Sequence, residues 1–183
     1  SWWKWKAISI FRQENGYEQL FEEENSKWME CWISIFKPAF INYKAGVDKF
    51  DTKTYFATAD IKGTSLSSGT LIDYENRENR ANMQPSVNSV WFAKMKDSIK
   101  HLYLNEEMLP IISSSILSTD FCGLQCSDVS FEYMASYISN TYFETHKDML
   151  AHGATQEAVN NDDLAGIHIV IPDDKTLQNY HRI

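Results

Sequence analysis

The chain has 183 residues, of which 43% are hydrophobic and 14% aromatic, and it carries a formal net charge of −8. That is enough apolar material for one domain with a packed core, and enough acid to exclude a uniformly basic nucleic-acid coat. No run of about 18 apolar residues occurs, so no membrane-spanning helix and no membrane partner are expected.

The start, Ser1-Trp2-Trp3-Lys4-Trp5-Lys6, lacks the apolar stretch of a signal peptide. Acids crowd the N-terminal part at Glu14, Glu18, Glu22, Glu23, Glu24 and Glu30. From Gly16 to Lys37, apolar residues recur at three- and four-residue spacing, which predicts a helix stopped by Pro38. The competing reading makes Cys31 to Tyr43 strands, because Trp32, Ile33, Ile35, Phe36, Phe40 and Ile41 all suit a sheet. From Tyr43 to about Cys126 the pattern becomes short apolar runs between turn residues. Strands are expected at Tyr55–Ala59, Ser89–Lys94, Lys100–Leu104 and Ile111–Leu117, with turns at Lys62-Gly63 and Ser67-Ser68-Gly69. From Asp128 to Ala151 the period is helical, with Ser127 or Asp128 as cap and Gly153 as the C-terminal left-handed residue. Ile167–Ile171 reads as a strand ending at Pro172. Asp173 or Asp174 then caps a last helix carrying Leu177 and Tyr180. Trp91, Phe92, Phe121, Phe131, Tyr137 and Tyr142 are candidate core residues. Trp2, Trp3 and Trp5 either pack on the domain or form an exposed patch for a partner.

Motifs for chemistry are sparse. The chain has no Gly-rich phosphate loop, dinucleotide fingerprint or Gly-x-Ser-x-Gly elbow, so no cofactor is expected. His146 and His152 are too far apart in sequence to share a helix face as metal ligands, and Cys122 and Cys126 lack a second pair of soft ligands. Three cysteines, Cys31, Cys122 and Cys126, do not make a disulfide framework and suit a reducing cytoplasm. Asp60-Ile61-Lys62 and Pro172-Asp173-Asp174-Lys175 have the acid-x-lysine form found in metal-dependent nucleases, but solvated turns account for both.

The most specific text is the ordered set between Phe131 and Ile183. A helix containing Phe131-Glu132-Tyr133-Met134 leads to His152-Gly153-Ala154-Thr155-Gln156. Asn161-Asp162-Asp163-Leu164-Ala165-Gly166-Ile167 follows, then a strand ending at Pro172, then Gln178. This resembles the C-terminal end of a target-recognition domain in type I restriction-modification specificity subunits. There a helix, a Gly-x-Thr loop, a Leu-x-x-Ile segment, an apolar strand ending in proline and a Gln opening a long helix follow one another. Tyr55–Gly63, Arg80–Pro85 with Val90–Lys96, and Leu117–Phe121 are similar to the family's earlier strands, so the resemblance spans roughly residues 43–183.

The resemblance implies an α/β (α+β) fold, a single target-recognition domain with a twisted mixed β-sheet flanked by helices. The expected organisation is a partly helical segment at 1–42, the recognition domain at 43–172 and the start of a truncated helix at 173–183. It also implies readout of a half-site in double-stranded DNA without catalysis, alongside the methyltransferase (modification) and restriction subunits of the same system. A complete specificity subunit has two such domains joined by long helices, and this chain corresponds to one recognition half.

DNA reading needs cations for phosphates and forked side chains for base edges. Lys94, Lys96, Lys100 and His101 are the best cationic cluster, and alternation puts Lys94 and Lys96 on one strand face. Arg77, Asn79, Arg80, Asn82 and Gln84 form a polar stretch able to reach guanine or adenine, and Thr155 and Gln156 sit in the Gly-x-Thr loop. Two rivals remain. One is a protein-interaction module docking on methyltransferase subunits without reading DNA, favoured by the acidic charge. The other is a metal-dependent nuclease using Asp60 and Lys62.

Overall fold

The run Ser89-Val90-Trp91-Phe92-Ala93 has no charged residue and almost no polar surface, so a strand made from it must be covered on both sides. The computed structural model describes residues 32–34, 40–42, 46–126, 130–160 and 162–170. Its elements open with β1 (Trp32–Ser34), β2 (Phe40–Asn42) and β3 (Lys53–Phe56). A 3₁₀ turn at Thr58–Asp60 precedes a small hairpin, β4 (Ile61–Lys62) and β5 (Ser65–Leu66). Next come β6 (Thr70–Ile72), β7 (Ala81–Met83), β8 (Ser89–Ala93) and β9 (His101–Leu104). Helix α1 (Leu109–Ser114) leads into β10 (Ser115–Ser118) and β11 (Phe121–Cys126). Helices α2 (Phe131–Ile138) and α3 (Thr141–Leu150), a 3₁₀ turn at Asp163–Gly166 and β12 (His168–Val170) complete the order.

The class is α+β. Among the described residues β1 pairs with β12 and β4 with β5 as two-stranded ladders, and the other eight of the twelve strands form two four-stranded sheets. One is mixed, in the order β6-β3-β10-β7, with β3 and β10 parallel. The other is antiparallel throughout, in the order β2-β11-β8-β9. Helices α2 and α3 cover one face of the antiparallel sheet, and the mixed sheet covers the other. Alternation along β8 shows both contacts. Val90 and Phe92 join Met134, Tyr137, Ile138 and Phe143 of the helices, together with Leu164 and Ile169. Trp91 and Ala93 join Phe56, Met83 and Leu117 of the mixed sheet. The Phe92 ring meets Phe143 edge-on at 4.9 Å, and Trp91 satisfies its buried indole by donating from Nε1 to Ser89 Oγ at 2.8 Å.

Of the expected strands, those at Ser89–Lys94 and Lys100–Leu104 form as β8 and β9, while the one at Tyr55–Ala59 is extended only through Phe56 and then turns as 3₁₀ at Thr58–Asp60. The expected core aromatics Trp91, Phe92, Phe121, Tyr137 and Tyr142 are buried, and Phe131 packs against the cluster that holds Phe92, Tyr137 and Tyr142. The expected strand at Ile111–Leu117 is corrected. Its first half is helix α1, and only Ser115 onward is extended. Pro110 has no N–H to lose in a first helical turn. Ser113, Ser114 and Ser115 each turn their hydroxyls back onto helix carbonyls, including Ser114 Oγ to Pro110 O at 2.8 Å.

The single helix expected over Asp128–Ala151 is two helices. Asn140 breaks it, accepting from Phe143 N at 3.0 Å as the N-cap of α3. Ser130 caps α2 through Tyr133 N, while the expected caps Ser127 and Asp128 lie outside the described residues. So do the Trp2, Trp3 and Trp5 cluster, nearly all of the helix expected over Gly16–Lys37, and the last helix after Pro172. Within that early region, backbone at Trp32–Ser34 and Phe40–Asn42 is extended. There β1 pairs with β12, and β2 pairs with β11. Cys122 and Cys126 are packed thiols, which burial pushes up to about 12. Thiols so raised stay protonated at neutral pH.

Within the antiparallel sheet Gly123 on β11 pairs with Trp91 on β8, and the indole lies over the glycine. A Cβ at Gly123 would lie 2.5 Å from the indole ring. Gly123→Ala is therefore expected to destabilise the fold by about 1–3 kcal/mol through overpacking. The effect should read as a lower denaturant midpoint at unchanged slope.

Candidate nucleic-acid interface

Strand directions decide which loops meet. Parallel β3 and β10 finish side by side, with Phe56 opposite Leu117. At the same end β8 finishes with Ala93 opposite Phe121, and β9 begins with His101 opposite Phe92. The segments 57–60, 94–100 and 119–120 therefore open together, and β7 starts beside them. The β4–β5 hairpin joins this end through the His101 N–H, which donates to Gly63 O at 3.0 Å.

Beyond Ala93 the chain stays extended and takes a new partner. Met95 bridges Ala158, Lys96 N donates to Glu157 O at 2.9 Å, and Val159 N donates to Lys94 O at 3.0 Å. The loop at 153–157 is thereby tied to the end of β8. Its own ends are closed by reciprocal bonds, His152 N to Ala158 O at 3.2 Å and Ala158 N to His152 O at 3.1 Å. Gly153 has φ +143°, and a Cβ there would fall 2.3 Å from Gln156 O. The glycine thus serves the loop's own turn; α3 has already ended, two residues earlier, at an extended Ala151. Thr155 and Gln156 are exposed at the tip. With Met95, Lys96, Asp97 and Glu157 they line an open concavity of about 480 Å³.

A second concavity of about 490 Å³ lies at the same end. Arg80, Asp60, Asp120, Glu78, Asn76, Thr58 and Tyr55 line it. Arg80 Nη1 meets Asp120 Oδ2 at 3.1 Å. Lys94 Nζ donates to Thr119 O at 2.9 Å, and Lys100 Nζ donates to Thr58 O at 2.6 Å. Lys96 pairs with the Glu157 carboxylate, which holds its ammonium above the usual lysine range, first through the hydrogen bond and then through the charge.

Arg80, Lys94, Lys96, Lys100, Thr155 and Gln156 are thus brought to one end, but each of the four cations already has an internal acceptor. Arg77 stacks on the Tyr74 ring at 3.8 Å and donates to Tyr74 O. Asn82 is half-buried on β7, where its backbone takes Gly46 N–H at 2.8 Å. Gln84 is not at this end. It donates to Ile112 O at 3.2 Å and accepts from Lys53, so it ties β3 to α1. His101 is corrected from surface cation to buried partner, being 3% exposed. The Asp60 carboxylate accepts from Ala57 N at 2.9 Å as a turn cap. Lys62 is exposed on the hairpin, and no acceptor among the described residues engages it.

A clamp below the 94–100 segment was missed in the sequence. Lys147 of α3 is fully buried. Its ammonium meets Glu144 Oε2 at 2.7 Å and donates to Ser98 O at 3.0 Å, with Ala93 O and Met95 O each at 3.5 Å. Glu144 Oε1 in turn accepts from His101 Nε2 at 2.6 Å. One buried cation therefore fixes the backbone between the end of β8 and the start of β9. The signal was a Glu–Lys pair three apart on a helix whose other neighbours are aromatic. Burial favours the neutral form of Glu144, but the bonds from His101 and Lys147 outweigh it and hold its carboxyl below the usual value.

No family model matches the sequence, and no curated protein does. Solved structures do match. The HsdS subunit from Thermoanaerobacter tengcongensis superposes with a TM-score of 0.62 at 15% identity, over 81% of this chain and 39% of that one. A chain from a structure of complex assembly and conformational transition in the type I R-M system gives 0.59 at 14% identity, over 79% and 41%. The fold is therefore shared with these proteins, and the chain spans well under half the length of either.

Lys147→Met strands Glu144 beneath the loop without its buried lysine partner. It should destabilise the protein by about 3–5 kcal/mol, measured by chemical unfolding. Because the folded carboxyl of Glu144 titrates below its unfolded value, its contribution is complete above the ordinary glutamate range near pH ~4.3. The contribution should fade as pH falls from there through the folded value. Glu144→Gln should flatten that part of the stability profile.

Proposed function

We propose that this chain is the DNA-recognition module of a type I restriction-modification specificity subunit. It reads a half-site in duplex DNA and performs no chemistry itself. The observation that carries this reading is the single loop end that gathers Arg80, Lys94, Lys96, Lys100, Thr155 and Gln156 on a fold of the HsdS kind. In this reading the lysines and Arg80 face phosphates. Thr155 and Gln156, presented on a loop closed at both ends, reach base edges, where a glutamine can hold adenine bidentately. Arg77 and Asn82 flank the second concavity and support its loop, and Gln84 positions the sheet behind it. The recognition unit is residues 43–172, onto which the strands at Trp32–Ser34 and Phe40–Asn42 pair. Its partners are double-stranded DNA and the modification and restriction subunits, and its compartment is the cytoplasm. Among the described residues no helix is long and apolar enough to cross a membrane, and no three metal-binding side chains cluster.

A second reading, docking on methyltransferase subunits without DNA readout, is favoured by two exposed apolar side chains. Ile99 is 68% exposed and Met149 is 75% exposed. A randomised duplex library screened at low and moderate salt separates the two. DNA reading predicts enrichment of one short motif and a log affinity that falls linearly with log salt. Gln156→Ala should then lower discrimination at one position by about 1–3 kcal/mol and leave the rest of the motif in place. Absence of any enriched motif at either salt removes readout and leaves docking.

A further inference from the structure

Resting on the DNA-reading assignment, we infer that Glu157 and Asp120 are specificity-determining residues: their carboxylates occupy Lys96 and Arg80 in the free protein, so that only DNA engaging the 153–157 loop displaces them.

The geometry behind this is local. Both pairs stand at the proposed interface, partly exposed, with side-chain exposures of 37% and 48% for Lys96 and Glu157 and 64% and 42% for Arg80 and Asp120. Neither pair crosses the core, so neither is needed to hold the layers together, and exposed pairs of this kind contribute little to stability. Their effect falls on binding. Non-specific DNA affinity comes almost entirely from phosphate neutralisation. A cation already facing a carboxylate gives a phosphate less to gain, and the displaced carboxylate is left beside a polyanion.

The cost of that exchange is the same on every sequence. Only a duplex that also satisfies Thr155 and Gln156 offsets it, and Glu157 lies on the same loop as those two residues. Binding of the loop and release of Lys96 are thus one movement. Asp120 acts equally on Arg80 at the other concavity. Lys62 provides the contrast, since its ammonium has no carboxylate among the described residues and serves any duplex alike.

The test uses the full chain with Glu157→Gln, Asp120→Asn and the double variant, each checked for an unchanged unfolding midpoint. Affinity is measured by fluorescence anisotropy from 50 mM to 200 mM salt, on the enriched duplex and on a scrambled one. The double variant is expected to bind the scrambled duplex several-fold tighter and the enriched duplex by a smaller factor, so the ratio between them falls. Its non-specific salt slope should steepen by about 0.9 per freed cation. Lys62→Ala is expected to weaken both duplexes alike and preserve the ratio. A wild-type preference combined with unchanged ratio and slope in the double variant overturns the inference alone. A wild-type chain without preference overturns the DNA-reading assignment, and the inference with it.

Discussion

A strand without a polar face exists in water only if two further layers dry it, and β8 imposes that requirement on the whole chain. Val90 and Phe92 on one side and Trp91 and Ala93 on the other are all fully buried. Leaving either face wet would forfeit roughly 1.5–3 kcal/mol for each large side chain, against a total stability of about 5–15 kcal/mol for a domain. The helix pair is therefore as necessary to β8 as the mixed sheet is. Gly123 shows how tightly the requirement is met, since the indole of Trp91 fills the space its side chain would take.

Covering β8 twice also decides where the loops emerge. The mixed sheet has to lie against the Trp91 face, and its parallel pair β3 and β10 then finishes at the end where β8 finishes. The cation-bearing segment leaving β8 there lies over the helix layer. Lys147 supplies the anchor, because three carbonyls and the carboxylates of Glu144 and Asp148 surround its ammonium. A buried charge is a costly way to hold backbone unless its donors are used. Here the lysine has enough acceptors for all three of its protons, and the geometry of the surface loop is set from inside.

Much of this was legible in the sequence wherever one physical signal acted alone. The strand at Ser89–Lys94 carries Val90, Trp91 and Phe92, the one at Lys100–Leu104 carries Leu102, Tyr103 and Leu104, and both formed. The helical character of Asp128–Ala151 followed from periodicity, though not its division at Asn140, and the α+β class came with the resemblance. Failures came where two signals competed. Ile111–Leu117 reads as a strand on propensity, but Pro110 and the serine hydroxyls favour a helical turn over its first half. His101 reads as a surface cation until Glu144 draws it inward. The cations at the loop end were visible by type. Their acceptors, Thr119 O, Thr58 O, Asp120 and Glu157, are remote in sequence and became apparent only once the strands had been placed.

The loop closed by His152 and Ala158 has a consequence for how such a chain can diversify. Reciprocal backbone bonds join its ends, and they do not depend on which side chains lie between. Its interior residues are exposed and belong to none of the hydrophobic clusters. Provided Gly153 keeps the turn, positions 154–156 form a cassette insulated from folding. Substitution there can be tried at little risk to the scaffold, so a lineage can explore new recognition chemistry at this tip while β8 and its two coverings stay under strict constraint.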